Sequence, residues 1–167
     1  MVLPAPKTAD AHLEKYWNYV QPVHPLLHKS TFMEGYNYVY EKQGDSTGSH
    51  DQPVFTTVHA ARAFHVTLNL VFALGCIHHF SGGGGPASSK EGAAAFFDRS
   101  QELLRNADPD HATPYLVQAY LLTAHYLQST GKIGKCWAAV GTAIRLAQGV
   151  GIQRDLASES QDGASTA

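Results

Sequence analysis

The chain has 167 residues, enough for one domain whose core takes about two thirds of the unfolded surface out of water. Twelve Lys and Arg against fourteen Asp and Glu give a formal net charge of −2, with only 16% of residues charged, which excludes direct nucleic-acid contact by this chain. Two isolated cysteines, Cys76 and Cys136, exclude a disulfide framework, and the first dozen residues lack the apolar core of a signal peptide, so a reduced intracellular setting is expected.

From Thr8, a candidate cap, Ala11, Tyr16, Trp17, Tyr19 and Val20 recur with partial helical periodicity, and Pro22 ends the pattern. Residues 21–29 hold Pro22 and Pro25 and predict an extended connector that turns Val23, Leu26 and Leu27 inward. Ser30 or Thr31 is expected to cap a second helix, Thr31 with Glu34 forming a capping box ahead of Phe32, Met33, Tyr36, Val39 and Tyr40. Residues 42–53 read as a polar, flexible loop.

The stretch from Val54 to Phe80 is long and apolar enough to suggest a membrane span. His59, Arg62, His65 and Asn69 would each be costly in hydrocarbon, so it predicts a buried core helix and no membrane contact. Residues 81–89, with four consecutive glycines, predict a flexible linker. Ser88 with Glu91 then opens a helix carrying Ala93, Phe96, Phe97, Leu103, Leu104 and Ala107 on one face, closed by Asp108 and Pro109. Thr113 followed by Pro114 caps a nearly all-apolar helix to Gln128. A Ser-Thr-Gly turn at 129–131 leads into a last helix, Ile133 to Val150, on which Trp137, Val140, Ile144 and Ala147 form a stripe and Gly149 with Gly151 the stop. The tail 158–167 is polar and predicted to be disordered. The sum is an all-α fold of about six helices packed as antiparallel pairs over 1–157.

Two segments resemble the fungal-specific transcription factor domain, the middle homology region of fungal regulators that carry a binuclear zinc-cluster DNA-binding domain. Residues 16–32, YWNYVQPVHPLLHKSTF, match through Pro22, Pro25, Leu27, His28, Thr31 and Phe32. Residues 121–155 match through Tyr126, Gly131, Trp137, Gly141, Ala143, Arg145, Ala147, Gly151, Arg154 and Asp155. The resemblance gives these residues structural roles: Trp137 would plug the seam between the last two helices, Gly141 would permit their close crossing, and Arg154 with Asp155 would close a helix end. It implies a nuclear regulatory domain without catalytic residues. Such a domain would act through coregulators, self-association, contacts with the rest of a parent regulator, or a small-molecule inducer.

The same resemblance implies no cofactor in this chain, since two cysteines cannot build the zinc cluster that binds DNA for the family. It also implies an incomplete helical domain, in which the helix at 133–150 would leave an apolar face uncovered. Ten histidines invite a metal reading, but the pairs His24/His28 and His78/His79 lack partners at ligand spacing, so packing or surface roles are expected. Gly82 to Gly85 lack the lysine and the preceding strand of a phosphate loop. His59, Arg62 and His65 form a polar stripe that faces an effector pocket, is simply solvated or pairs with a neighbouring helix. A tetratricopeptide-like scaffold is the structural alternative for residues 113–150, weakened by the lack of a second copy of the pattern.

Overall fold

The computed structural model describes residues 3–44, 55–77, 90–107, 111–152 and 154, and the regular elements among them are six helices. The linker at 81–89, the capping role of Ser88, the stop at Asp108 and Pro109, the tail and Asp155 fall outside the described residues.

Helix α1 (Pro6–Lys15) starts on a proline at its first position, where an absent N–H leaves no bond unmade. Ala5 precedes it, so Thr8 is not its cap: the Thr8 amide donates to the Ala5 carbonyl inside the first turn. The chain runs on without a break into one π-helical turn, Tyr16–Val20, closed by the Gln21 amide on the Tyr16 carbonyl at 3.0 Å. In the connector that follows, Leu27 is buried and Leu26 half-buried, but Val23 is exposed. The amides of Val23 and His24 both donate to the Val20 carbonyl, and that turn carries the Val23 side chain outward.

Helix α2 (Lys29–Gly44) begins before the expected caps and runs past Lys42, where a loop is expected. Ser30 and Thr31 lie inside its first turn, and His28 takes the capping position. The His28 carbonyl accepts from the Phe32 amide, and its Nδ1 lies 3.1 Å from both Thr31 Oγ1 and Ser30 Oγ. Two tyrosines tie α2 to the N-terminal segment: Tyr36 donates to Asp10 Oδ1 at 2.7 Å and Tyr40 to the Pro4 carbonyl at 3.0 Å.

Helix α3 (Val58–Ile77) is the axis of the molecule, and the Thr57 hydroxyl caps it by accepting from the Ala60 amide at 3.0 Å. It is packed by α1, α4 (Lys90–Arg105) and α5 (Pro114–Ser129), so the stretch that passes for a membrane span by composition is 78% buried inside the fold. Arg62 near its start reaches the Asn106 carbonyl after the end of α4, while Phe72 near its end meets Phe96 near the start of α4, so the two helices are antiparallel. Tyr126 of α5 stacks on Phe97 of α4 with ring centroids 4.1 Å apart, which places the end of α5 beside the start of α4.

Three buried polar side chains in this core fold back on their own helices: Asn69 Nδ2 donates to the His65 carbonyl, Ser100 Oγ to the Phe97 carbonyl, and Thr123 Oγ1 to the Ala119 carbonyl. Cys76 is enclosed beside His12, and burial pushes its thiol up to about 11. Cys76 is therefore expected to resist a thiol reagent such as DTNB at pH 8 until the chain is unfolded, whereas the half-buried Cys136 reacts in the native state. Rapid titration of two thiols in native buffer would contradict this packing.

Candidate interaction surface

The last two helices form a hairpin whose chemistry is set by its turn. Thr113 caps α5 by accepting from the Leu116 amide at 3.3 Å, with Pro114 at the first helical position. Gly131 adopts φ 75° in the turn after α5, which lets the Lys132 amide reach back to the Leu127 carbonyl at 2.8 Å before α6 (Ile133–Val150) begins. At the far end Gly151 closes α6 in a left-handed conformation, and the Ile152 amide returns to the Ala147 carbonyl.

α6 packs almost entirely on α5, and its deeply buried side chains are small, Ala139 and Ala143, flanked by the half-buried Cys136, Val140 and Leu146. That choice of face overturns one expectation. Trp137 does not plug the seam: it is 73% exposed, with Ile133 at 52% and Ile144 at 53%. At roughly 100° per residue these three side chains fall within about 40° of arc on one side of α6, an apolar ridge about a quarter turn away from the α5 contact. Gly141 does not mark a close crossing either, since a methyl group there would meet only the Arg145 guanidinium, at 3.4 Å. Two alanines already supply the close approach, and a bulky indole does not fit between helices so near.

The other predicted motif residues fall into two groups. On α6, Arg145 is exposed and donates to Thr142 Oγ1, and the Arg154 amide donates to the Gly151 carbonyl. Around the start of α2, Pro22 and Pro25 are exposed on the connector, His28 and Thr31 bond to each other, and Phe32 is buried between Trp17 and Phe64. The structure does not bring the two groups together.

The polar stripe on α3 pairs with its neighbour. His59 stacks flat on His111 at 4.3 Å, Arg62 is held by the Asn106 carbonyl, and burial lowers the pKa of His65. His24 and His28 take separate packing roles, His24 against the His125 ring at 4.4 Å and His28 at the head of α2. His78 and His79 fall outside the described residues, among which no three His, Cys, Asp or Glu side chains converge.

On the side of α6 away from the ridge, an open groove of about 500 Å³ lies between α4, α5 and α6. Arg105, Lys132 and Lys135 line it against a single acid, Asp98, over a floor that includes Phe97 and Leu127. Lys132 sits over the Phe97 ring at 5.9 Å. α6 thus presents an apolar ridge on one side and a basic, aromatic-floored groove on the other.

Residues 13–166 match the model of the fungal specific transcription factor domain. Among curated proteins, the sorbicillinoid biosynthetic cluster transcription factor sor3 of Hypocrea jecorina is 32% identical over 160 residues, 92% of this chain and 22% of that protein. The sorbicillinoid biosynthetic cluster transcription factor 2 of Penicillium rubens is 28% identical over 148 residues, 87% of this chain and 20% of that protein. The lactose regulatory protein LAC9 of Kluyveromyces lactis is 23% identical over 156 residues, 90% of this chain and 15% of that protein. The chain therefore spans about a fifth of the length of the curated relatives it matches. No solved structure matches it.

Proposed function

Because the chain belongs to the fungal specific transcription factor domain family, we propose that it is the regulatory, non-catalytic interaction domain of a longer nuclear regulator and acts through α6. The observation that carries this reading is the exposed ridge of Ile133, Trp137 and Ile144. A tryptophan left in water forfeits a large burial gain, and such residues dominate affinity when a partner covers them. The partner is the remainder of the same regulator, whose other helices would dry the ridge, with coregulators reaching the basic groove beside it. DNA is read by a separate zinc-cluster domain of the longer protein, and this chain needs no cofactor of its own.

Control of transcription then becomes a matter of whether the ridge is covered. Trp137→Ser is expected to leave the melting temperature of the chain nearly unchanged, because the indole is outside the core. The same change is expected to weaken capture of the separately expressed remainder of the regulator by about 2 kcal/mol, roughly thirtyfold. In a strain carrying the full-length regulator with Trp137→Ser, transcript levels of its target should lose their regulation while promoter occupancy persists. Unchanged affinity and unchanged regulation would refute a role for the ridge.

A further inference from the structure

We propose that the groove between α4 and the α5–α6 hairpin takes a short acidic, amphipathic helix presented by a coregulator protein. This deepens the reading of the chain as an interaction domain and rests on it, but it does not rest on the ridge. Three contacts fix the shape of the groove. The Phe97 ring stacks on Tyr126, Gln101 Nε2 lies 3.5 Å from Thr123 Oγ1, and Lys132 at the head of α6 stands over Phe97. α4 and α6 therefore run in the same direction as two walls, with α5 at the base. The lining extends from Phe97 to Arg105 on α4 and from Lys132 to Thr142 on α6. At about 1.5 Å per residue that is a trough about 12–15 Å long, room for two to three turns of a bound helix.

Charge selects the occupant. Lys132 at one end, Lys135 on the α6 wall and Arg105 at the other end face one carboxylate among the described lining residues, Asp98. Arg145 strengthens the second end, where it donates to the Thr142 hydroxyl. The groove thus gathers positive charge in a chain whose formal net charge is −2. A small carboxylate would meet one end only, whereas cations spread along the trough match a ligand with repeated negative charge. A nucleic-acid strand carries such charge too, but it would also need open ring faces on which to stack its bases. Phe97 offers none, with Tyr126 stacked on its ring, Lys132 over it and the side chain buried. An acidic helix needs no stacking: its carboxylates reach the rim cations and its apolar side chains lie along Leu127 and Ala138.

The position of the groove separates its occupant from the rest of the regulator. Lys135, Ala138 and Thr142 lie roughly 160° around α6 from Ile133, Trp137 and Ile144. A surface that covers the ridge leaves the groove open, so a second protein is free to enter it.

The probe is a fluorescein-labelled synthetic peptide about three helical turns long, with Glu and Asp on one face and Leu and Phe on the other. Titrated with the purified chain and followed by fluorescence anisotropy, it is expected to bind saturably and to weaken as salt is raised. Lys135→Glu should weaken binding about tenfold or more while melting like the parent, since Lys135 is exposed. Lys135→Arg keeps the charge and should stay within about twofold of the parent affinity. Trp137→Ser should bind the peptide like the parent, so failure of the ridge and failure of the groove are told apart. The proposal is overturned by absence of saturable binding or by equal affinity in Lys135→Glu. It is overturned equally if oligo-dT displaces the peptide at matching charge concentration, which would mark a general polyanion site. Displacement by the separately expressed remainder of the regulator would also overturn it, by giving the groove to the parent protein.

Discussion

Replacing Gly75 by alanine is expected to destabilise the chain by about 3 kcal/mol, and replacing it by valine to prevent stable folding, because α3 has no room for a side chain where it crosses α1. A Cβ built at Gly75 would collide with the carbonyl oxygen of His12 and lie 3.0 Å from its carbonyl carbon. The obstacle is backbone, so no rotamer change relieves it; α1 itself would have to move. That movement would disturb His12 and Leu13, both buried against α3, and the contact between His12 and the Phe72 and Phe96 rings. The loss is a large share of the roughly 5–15 kcal/mol that holds a domain of this kind together. Circular dichroism melts of the two variants check the expectation, with Gly134→Ala as the control. Gly134 lies in α6 with open space around it, so alanine there should stabilise the helix by about 0.5–1 kcal/mol. Equal melting of Gly75→Ala and the parent would mean that α1 is not seated where the structure puts it.

Phe72→Ala is expected to cost about 3–5 kcal/mol, the range for deleting a buried ring and leaving its cavity. Phe72 is fully buried at the point where three elements meet. Its ring lies 5.4 Å from Phe96 of α4 and 6.1 Å from His12 of α1, on the helix that also carries the contact with α5. Small side chains nearby cannot refill the space, because Ala73, Gly75 and Ala93 are already packed tight. Chemical denaturation should show a lower midpoint and exposure of the core to a dye such as ANS. Phe72→Leu keeps most of the volume and should lose less than half as much, about 1–1.5 kcal/mol. Because Phe72 is fully buried and does not belong to the ridge, its variants separate loss of fold from loss of function: Trp137→Ser should keep the fold and lose the partner, whereas Phe72→Ala should lose the fold first and the partner only as a consequence.

The helices were legible because their signals are local. Thr113-Pro114, Gly131 and Gly151 each set a boundary by the backbone conformation they favour, and the apolar run at 58–77 had to be buried whatever packed on it. Where two local signals competed, the sequence misled. Thr8 and Thr31 have side chains suited to capping, but Pro6 and His28 sit at the positions where their helices actually begin.

The functional surface divides the same way. The residues of α6 that resemble the family's motif could be picked out in sequence, and so could the prospect of an uncovered apolar face. Which face that would be was not available, because Trp137 and Ala139 differ by only two positions and either could turn inward. The helix–helix distance set by Ala139 and Ala143 against α5 decided it, placing the small residues inside and leaving the indole in water. The aromatic cluster around Phe64 had no sequence signal at all beyond separate rings far apart in the chain. Its members, Phe32, Phe55 and Phe64, lie on separate segments that only packing brings together. Composition and periodicity thus determined that the chain is helical, weakly charged and built around one long core helix. Tertiary structure alone decided which side chains were left without a partner, since whether an atom is satisfied depends on neighbours far away in the chain.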